Sequence, residues 1–77
     1  MRIHLSQQAL KFLRSLGEQG AELRQAVESL KQNPTPDWAI TLTGNHYEFF
    51  TAGYWLLYEI DSTTSETIVR ITAIQDQ

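Results

Sequence analysis

The spacing of apolar positions changes once along this chain, near residue 33. Before that point it is mostly helical. Met1 to Leu5 is the exception: Ile3 and Leu5 alternate with Arg2 and His4, which predicts a short first strand. Ser6 then suits a helix N-cap, because its hydroxyl can accept a free amide of the first turn. Ala9, Leu10, Leu13 and Leu16 follow at helical spacing, with Phe12 widening the stripe. Gly17 and Gly20 bracket a break, and Leu23, Ala26, Val27 and Leu30 mark a second amphipathic helix to about Gln32. So short a connection predicts an antiparallel helical hairpin. Asn33-Pro34-Thr35-Pro36-Asp37 ends it, since proline cannot continue a helix and restricts the residue before it.

Beyond that linker the period is two. Trp38 to Thr43 reads as a strand or an extended lead-in, with Gly44-Asn45 as a turn. His46–Thr51 and Tyr54–Ile60 are aromatic and aliphatic runs flanking a short Thr51-Ala52-Gly53 connection, a hairpin signal. Asp61 to Ser65 is polar and turn-like, and the β-branched run Thr67 to Ile74 forms the last strand. Alternation assigns Tyr47, Phe49, Tyr54, Leu56, Tyr58, Ile60, Val69, Ile71 and Ala73 to a face that the helices must cover. His46, Glu48, Phe50, Trp55, Leu57, Glu59, Ile68, Arg70 and Thr72 fall on the other. That second face holds more apolar surface than a free sheet face comfortably shows to water, so a covering partner is expected. Whether that partner makes a homo- or a hetero-oligomer stays open.

Composition narrows the classes. Seventy-seven residues make a single domain, 1–77, with one core, and the absence of cysteine leaves packing alone to hold it. Net charge is −3, and five of the six cations (Arg2, Lys11, Arg14, Arg24, Lys31) precede residue 32. After it, Arg70 stands against Asp37, Glu48, Glu59, Asp61, Glu66 and Asp76. A sheet so charged repels phosphate, which argues against unaided RNA binding and against direct DNA reading. No basic-then-apolar leader opens the chain and no run reaches the ~20 apolar residues of a membrane span, so a cytoplasmic protein off the membrane is the expectation. His4 and His46 without cysteine show no metal spacing, and there is no phosphate loop, dinucleotide fingerprint or Ser-His-Asp signature. No metal and no cofactor are expected.

The order of strand, helical hairpin and antiparallel sheet, with Gly53-Tyr54-Trp55-Leu56-Leu57-Tyr58-Glu59-Ile60-Asp61 in the hairpin, resembles the RelE/ParE superfamily of toxin–antitoxin toxins. Leu5-Ser6-Gln7-Gln8-Ala9, Leu30 with Asn33-Pro34, Leu42-x-Gly44 and Tyr47-Glu48-Phe49-Phe50 also match family positions, so the resemblance covers nearly the whole chain. It implies an α+β domain, with the helical hairpin packed on the sheet. It further implies a type II toxin that inhibits growth or stabilises a plasmid, is neutralised by a cognate antitoxin, and has gyrase or the ribosome as candidate target. In the ribonuclease branch the resemblance would place arginines at the positions of Phe50 and Trp55, and the branch's I-x-H-R-x-x-V-Y tail has no match in Ile74-Gln75-Asp76-Gln77. Two rings in place of two cations remove the electrostatic stabilisation that phosphoryl chemistry needs. A toxin acting by binding is therefore expected. The alternatives are a weak mRNA endoribonuclease, or a non-toxic degenerate relative serving as an interaction module.

Two groups of residues are candidates for the site. His46, Glu48 and Arg70 could meet on the open face as base, acid and phosphate clamp if their strands are neighbours. The competing reading is a cross-strand ion pair with a solvated histidine. Phe50 and Trp55 flank the hairpin turn and, with Leu57, offer a surface for the antitoxin or the target, as tryptophan and tyrosine favour interface hot spots. Nucleobase stacking on these rings would need interleaved basic residues, which are missing.

Overall fold

In a computed structural model, described for residues 1–63 and 65–76, the chain runs β1 (Arg2–Leu5), α1 (Gln7–Leu16), a 3-10 turn (Gly17–Gly20), α2 (Ala21–Ser29), β2 (Ile40–Thr43), β3 (His46–Thr51), β4 (Tyr54–Asp61) and β5 (Ile68–Asp76). The strands form one five-stranded sheet in the order β1-β5-β4-β3-β2. Four strands are antiparallel, as the hairpin signals predict, and β1 joins the edge in parallel with β5. The helices cover one face as an α+β layer pair. Ala9 and Leu13 of α1, with Leu23, Val27 and Leu30 from α2 and its exit, bury against Phe49, Leu56, Tyr58, Val69, Ile71 and Ile74.

Ser6 caps α1 as expected, its Oγ accepting from the Ala9 amide at 3.1 Å. Gly17 ends that helix with φ +56°, a conformation costly for any residue with a Cβ, and its amide donates to the Arg14 carbonyl. Arg24 holds the two helices together by donating to the carbonyls of Gly17 at 2.8 Å and Leu13 at 3.2 Å. Helix α2 stops at Ser29, short of Gln32, and turns closed by Val27, Glu28 and Ser29 carbonyls carry the chain to the prolines. The segment after Pro36 is a turn as far as Trp38, so β2 begins only at Ile40. The turn expected over Asp61–Ser65 starts one residue later, because Asp61 still pairs with Ile68; Thr64 lies outside the described residues.

The β3–β4 hairpin has a two-residue loop, with Thr51 opposite Tyr54 and positive φ at both Ala52 (55°) and Gly53 (86°). This is the loop whose twist matches that of the strands it joins. It sets the whole ladder from Phe50↔Trp55 to His46↔Glu59. Simple alternation fails in β5. Tyr58 pairs with Ile71 but Leu57 with Ala73, so Thr72 is an extra residue. Ala73 therefore lies on the open face opposite Leu57, and Ile74 enters the core fully buried, correcting the face expected for Ala73. Side chains from α1 and its N-cap stabilise this departure. β1 ends at Leu5, opposite Ile71, which would leave the outer edge of β5 bare from there on. Ser6 Oγ donates to the Thr72 carbonyl at 2.9 Å, and Gln8 both donates to the Ile74 carbonyl and accepts from its amide, each at 3.0 Å. On the other side Thr72 Oγ1 donates to the Leu57 carbonyl at 3.0 Å.

Candidate functional site

The face of the sheet away from the helices carries the residues picked from the sequence. The registers place them in rows across the strands. One row is Thr43, His46, Glu59, Arg70 and His4, running over all five strands. A second is Ile40, Glu48, Leu57 and Ala73, and a third is Phe50, Trp55 and Gln75.

In the first row His46 Nε2 stands 3.6 Å from Glu59 Oε2, and Arg70 Nη1 lies 3.7 Å from Glu59 Oε1. Arg70 makes its shorter contact with Asp61, Nη1 to Oδ2 at 2.7 Å. Asp61 in turn accepts from the Thr63 hydroxyl at 2.6 Å and the Thr63 amide at 2.9 Å. Those Thr63 bonds first, and Arg70 second, hold the Asp61 carboxyl well below the usual carboxylate range. The structure thus brings His46 and Arg70 to opposite sides of Glu59, while Glu48 sits in the next row between Ile40 and Leu57. Arg70 is engaged by two carboxylates, so one guanidinium is outweighed by two negative charges. Such a group can hold three strands in register. Placing a free cation against a scissile phosphate would require it to give up both partners.

The third row is an aromatic pair. The rings of Phe50 and Trp55 lie 4.8 Å apart between centroids and tilted by 54°, with Phe50 39% exposed. Half-buried Leu57 lies next to them. Neither ring belongs to the core under the helices, whose aromatic members are Phe49 and Tyr58. Apolar surface continues sideways to the sheet edge through Ile40, and Trp38 and Leu42 there are also exposed. Half-buried Glu48 is the one acidic side chain set among these residues.

Sequence reasoning did not single out Glu59 and Asp61 as the carboxylates that meet Arg70. Glu59 was within reach, because a two-residue hairpin loop makes it the partner of His46. Asp61 was not, since a polar stretch gives no sign of where a strand ends. Also missed was an apolar groove of about 330 Å³ on the helical side, lined by Leu5, Leu10, Leu13 and Val27 with Arg14, Arg24 and Glu28. It draws on three elements separated in sequence, and only their packing creates it.

No protein-family model matches the chain, and no curated protein is similar to it in sequence. Its structure, however, superposes on a YoeB/ParE toxin from Agrobacterium tumefaciens with a TM-score of 0.78, covering 100% of this chain and 99% of the other. The chain has the YoeB/ParE toxin fold. Identity between the two is 11%, so backbone architecture is shared where most side chains are not. The likeness agrees with the motif resemblance to RelE/ParE toxins, including the strand that precedes the helices. Within this fold the two aromatic rings stand on the open face of the hairpin. No helix among the described residues is long and apolar enough to cross a membrane.

Proposed function

We propose that this protein is the toxin of a type II toxin–antitoxin pair and acts by gripping a macromolecular target rather than by cutting RNA. One observation carries the reading: on a sheet of the YoeB/ParE toxin fold, the open face presents Phe50, Trp55 and Leu57, while Arg70 is held by Asp61 and Glu59. Aromatic side chains desolvate at little conformational cost and anchor protein interfaces, whereas phosphoryl chemistry needs cations placed for it. The cognate antitoxin covers the same rings with an extended segment or a helix, using apolar anchors at regular spacing. Gyrase and the translation machinery are the candidate targets, and the protein works in the cytoplasm.

Induced expression tests this directly. Growth is expected to stop while bulk mRNA stays intact, and a small antitoxin-like reading frame beside this gene, when co-expressed, is expected to restore growth. Trp55→Ala with an unchanged circular dichroism spectrum is expected to abolish the arrest. Cleavage of transcripts on translating ribosomes by the purified protein, lost in Arg70→Ala, would instead establish a ribonuclease. Expression with no growth defect would establish a harmless interaction module.

A further inference from the structure

One stretch of the chain is joined to the rest far more loosely than its neighbours. Residues 34–44 run from the end of the helical layer to the edge of the sheet, and none of them is fully buried. Pro34, Pro36 and Ala39 are half-buried, whereas Trp38 is 72% exposed and all four residues of β2 are exposed. Both flanks are firm. On one side Leu30 is fully buried, and the amides of Gln32 and Asn33 donate to the Ser29 carbonyl at 3.1 Å. On the other, Asn45 is clasped to β4: its Nδ2 donates to the Ile60 carbonyl and its own carbonyl accepts from the Ile60 amide, each at 3.0 Å. Between these anchors β2 pairs with β3 through three residue pairs, interrupted at Leu42. Among the described residues, the hydrogen bond that ties the stretch to the sheet apart from that ladder runs from the Tyr58 hydroxyl to the Pro34 carbonyl, at 2.7 Å. The bonds from the Thr35 amide to Asn33 Oδ1 and from the Ala39 amide to the Pro36 carbonyl are local, so they survive if the stretch moves as a body.

We propose that residues 34–44 form a strap that swings off the sheet as one unit, hinged at Asn33 and Gly44 and latched by Tyr58. Opening takes no fully buried side chain out of the core, so the hydrophobic cost that holds β4 and β5 in place is largely absent here. Gly44, at φ +55°, has no side chain to obstruct the hinge. The open form differs from the closed one in two ways that bear on recognition. Ile40 leaves its place beside Glu48 in the second row of the open face. β3 becomes the edge of the sheet, with amides and carbonyls freed on its outer side. Tyr58 belongs to the core under the helices, so the extent of the open face is set by a latch on the opposite layer. This holds whatever the protein grips.

Residue-resolved hydrogen exchange by NMR on the full chain reads the opening. Amides of β3 that bond to β2 are expected to exchange at least ~100-fold faster than those that bond to β4, because the strap releases the first set alone. Low urea should leave the fast set unchanged while it speeds the slow set, since local opening exposes little surface. Tyr58→Phe removes the latch. The latch breaks both when the strap opens and when the whole domain unfolds, so both sets are expected to speed about 5-fold, the net worth of one hydrogen bond. Fraying of β2 with the latch closed would leave the fast set unmoved. Because the chain has no cysteine, Ile40→Cys with Glu48→Cys puts two thiols on directly opposed residues, whose Cα atoms lie ~4.5–5.5 Å apart, within disulfide reach. The oxidised form is expected to slow the fast set at least ~10-fold relative to its reduced form. Equal protection of the two sets would overturn the proposal. So would a fast set unmoved by Tyr58→Phe, or one unmoved by the disulfide.

Discussion

Replacing Ile74 by alanine is the sharpest test of how this sheet is registered, and so of which residues its open face displays. Ile74 is fully buried beneath the helices because Thr72 adds a residue to β5. The change deletes three carbons. At about 0.8 kcal/mol for each buried methylene, transfer alone costs about 2.4 kcal/mol. The cavity left among Leu56, Ile71 and the helix residues raises the loss to about 3–4 kcal/mol. A domain of 77 residues has about 4–12 kcal/mol in total, so the variant loses a large share of its stability. Urea denaturation followed by tryptophan fluorescence and circular dichroism measures the loss, and thermal melts are expected to show a fall in Tm of roughly 12–24 °C for a 3 kcal/mol loss in a domain of this size. Ala73→Ser is the paired control. Ala73 lies opposite Leu57 on the open face, so its change should stay within about 0.5 kcal/mol. Under uninterrupted alternation the two positions would exchange roles. A mild Ile74→Ala with a costly Ala73→Ser would refute the bulge, and with it the open-face rows.

Three further outcomes follow from single contacts. Tyr58 is buried, its hydroxyl donates to the Pro34 carbonyl at 2.7 Å, and burial, with Tyr47 adding to it, pushes its pKa up to about 12. Since an unfolded tyrosine titrates near 10, the unfolded chain releases its proton first. Stability should therefore be intact below pH ~10 and fall by about 2–3 kcal/mol as pH rises toward 12. Tyr58→Phe should flatten that alkaline limb in pH-dependent denaturation while costing about 1 kcal/mol at neutral pH. The Asp61 carboxyl, held low by Thr63 and Arg70, stabilises the fold above its unfolded pKa and loses that contribution as pH falls; Asp61→Asn should flatten the acid limb of the same curve. Ala52 occupies the left-handed region at φ 55° with a side chain packed on the core, so Ala52→Asn, which tolerates that conformation, should raise stability by about 0.5–1 kcal/mol in thermal melts.

Much of the architecture was legible in the chain because local chemistry decides it. The Ser6 cap, the Gly17 break and the Ala52-Gly53 loop each depend on residues within a few positions of one another, and each is where its signal predicted. The hairpin loop also carried part of the site: once its length is two residues, Phe50 must face Trp55 and His46 must face Glu59. The order of elements, together with motifs such as Gly53–Asp61 and Leu30 with Asn33-Pro34, carried the resemblance to RelE/ParE toxins, and structural likeness then showed the YoeB/ParE toxin fold.

Other features arise between segments distant in sequence, and alternation cannot reach them. The extra residue at Thr72 depends on Ser6 and Gln8, some 66 positions away, satisfying the edge of β5 beyond the end of β1. That bulge moved Ala73 out and Ile74 in. The capture of Arg70 by Asp61 needed β4 to run one residue past its apolar pattern. The bareness of β2 became visible only when the sheet order placed it at an edge. Sequence by itself determined the elements, the hairpin and the identity of the rings on its outer side, because neighbouring residues set those energies. Tertiary structure decided which charges are spent on one another and which backbone is left unpaired, because those depend on strands brought together across the whole chain.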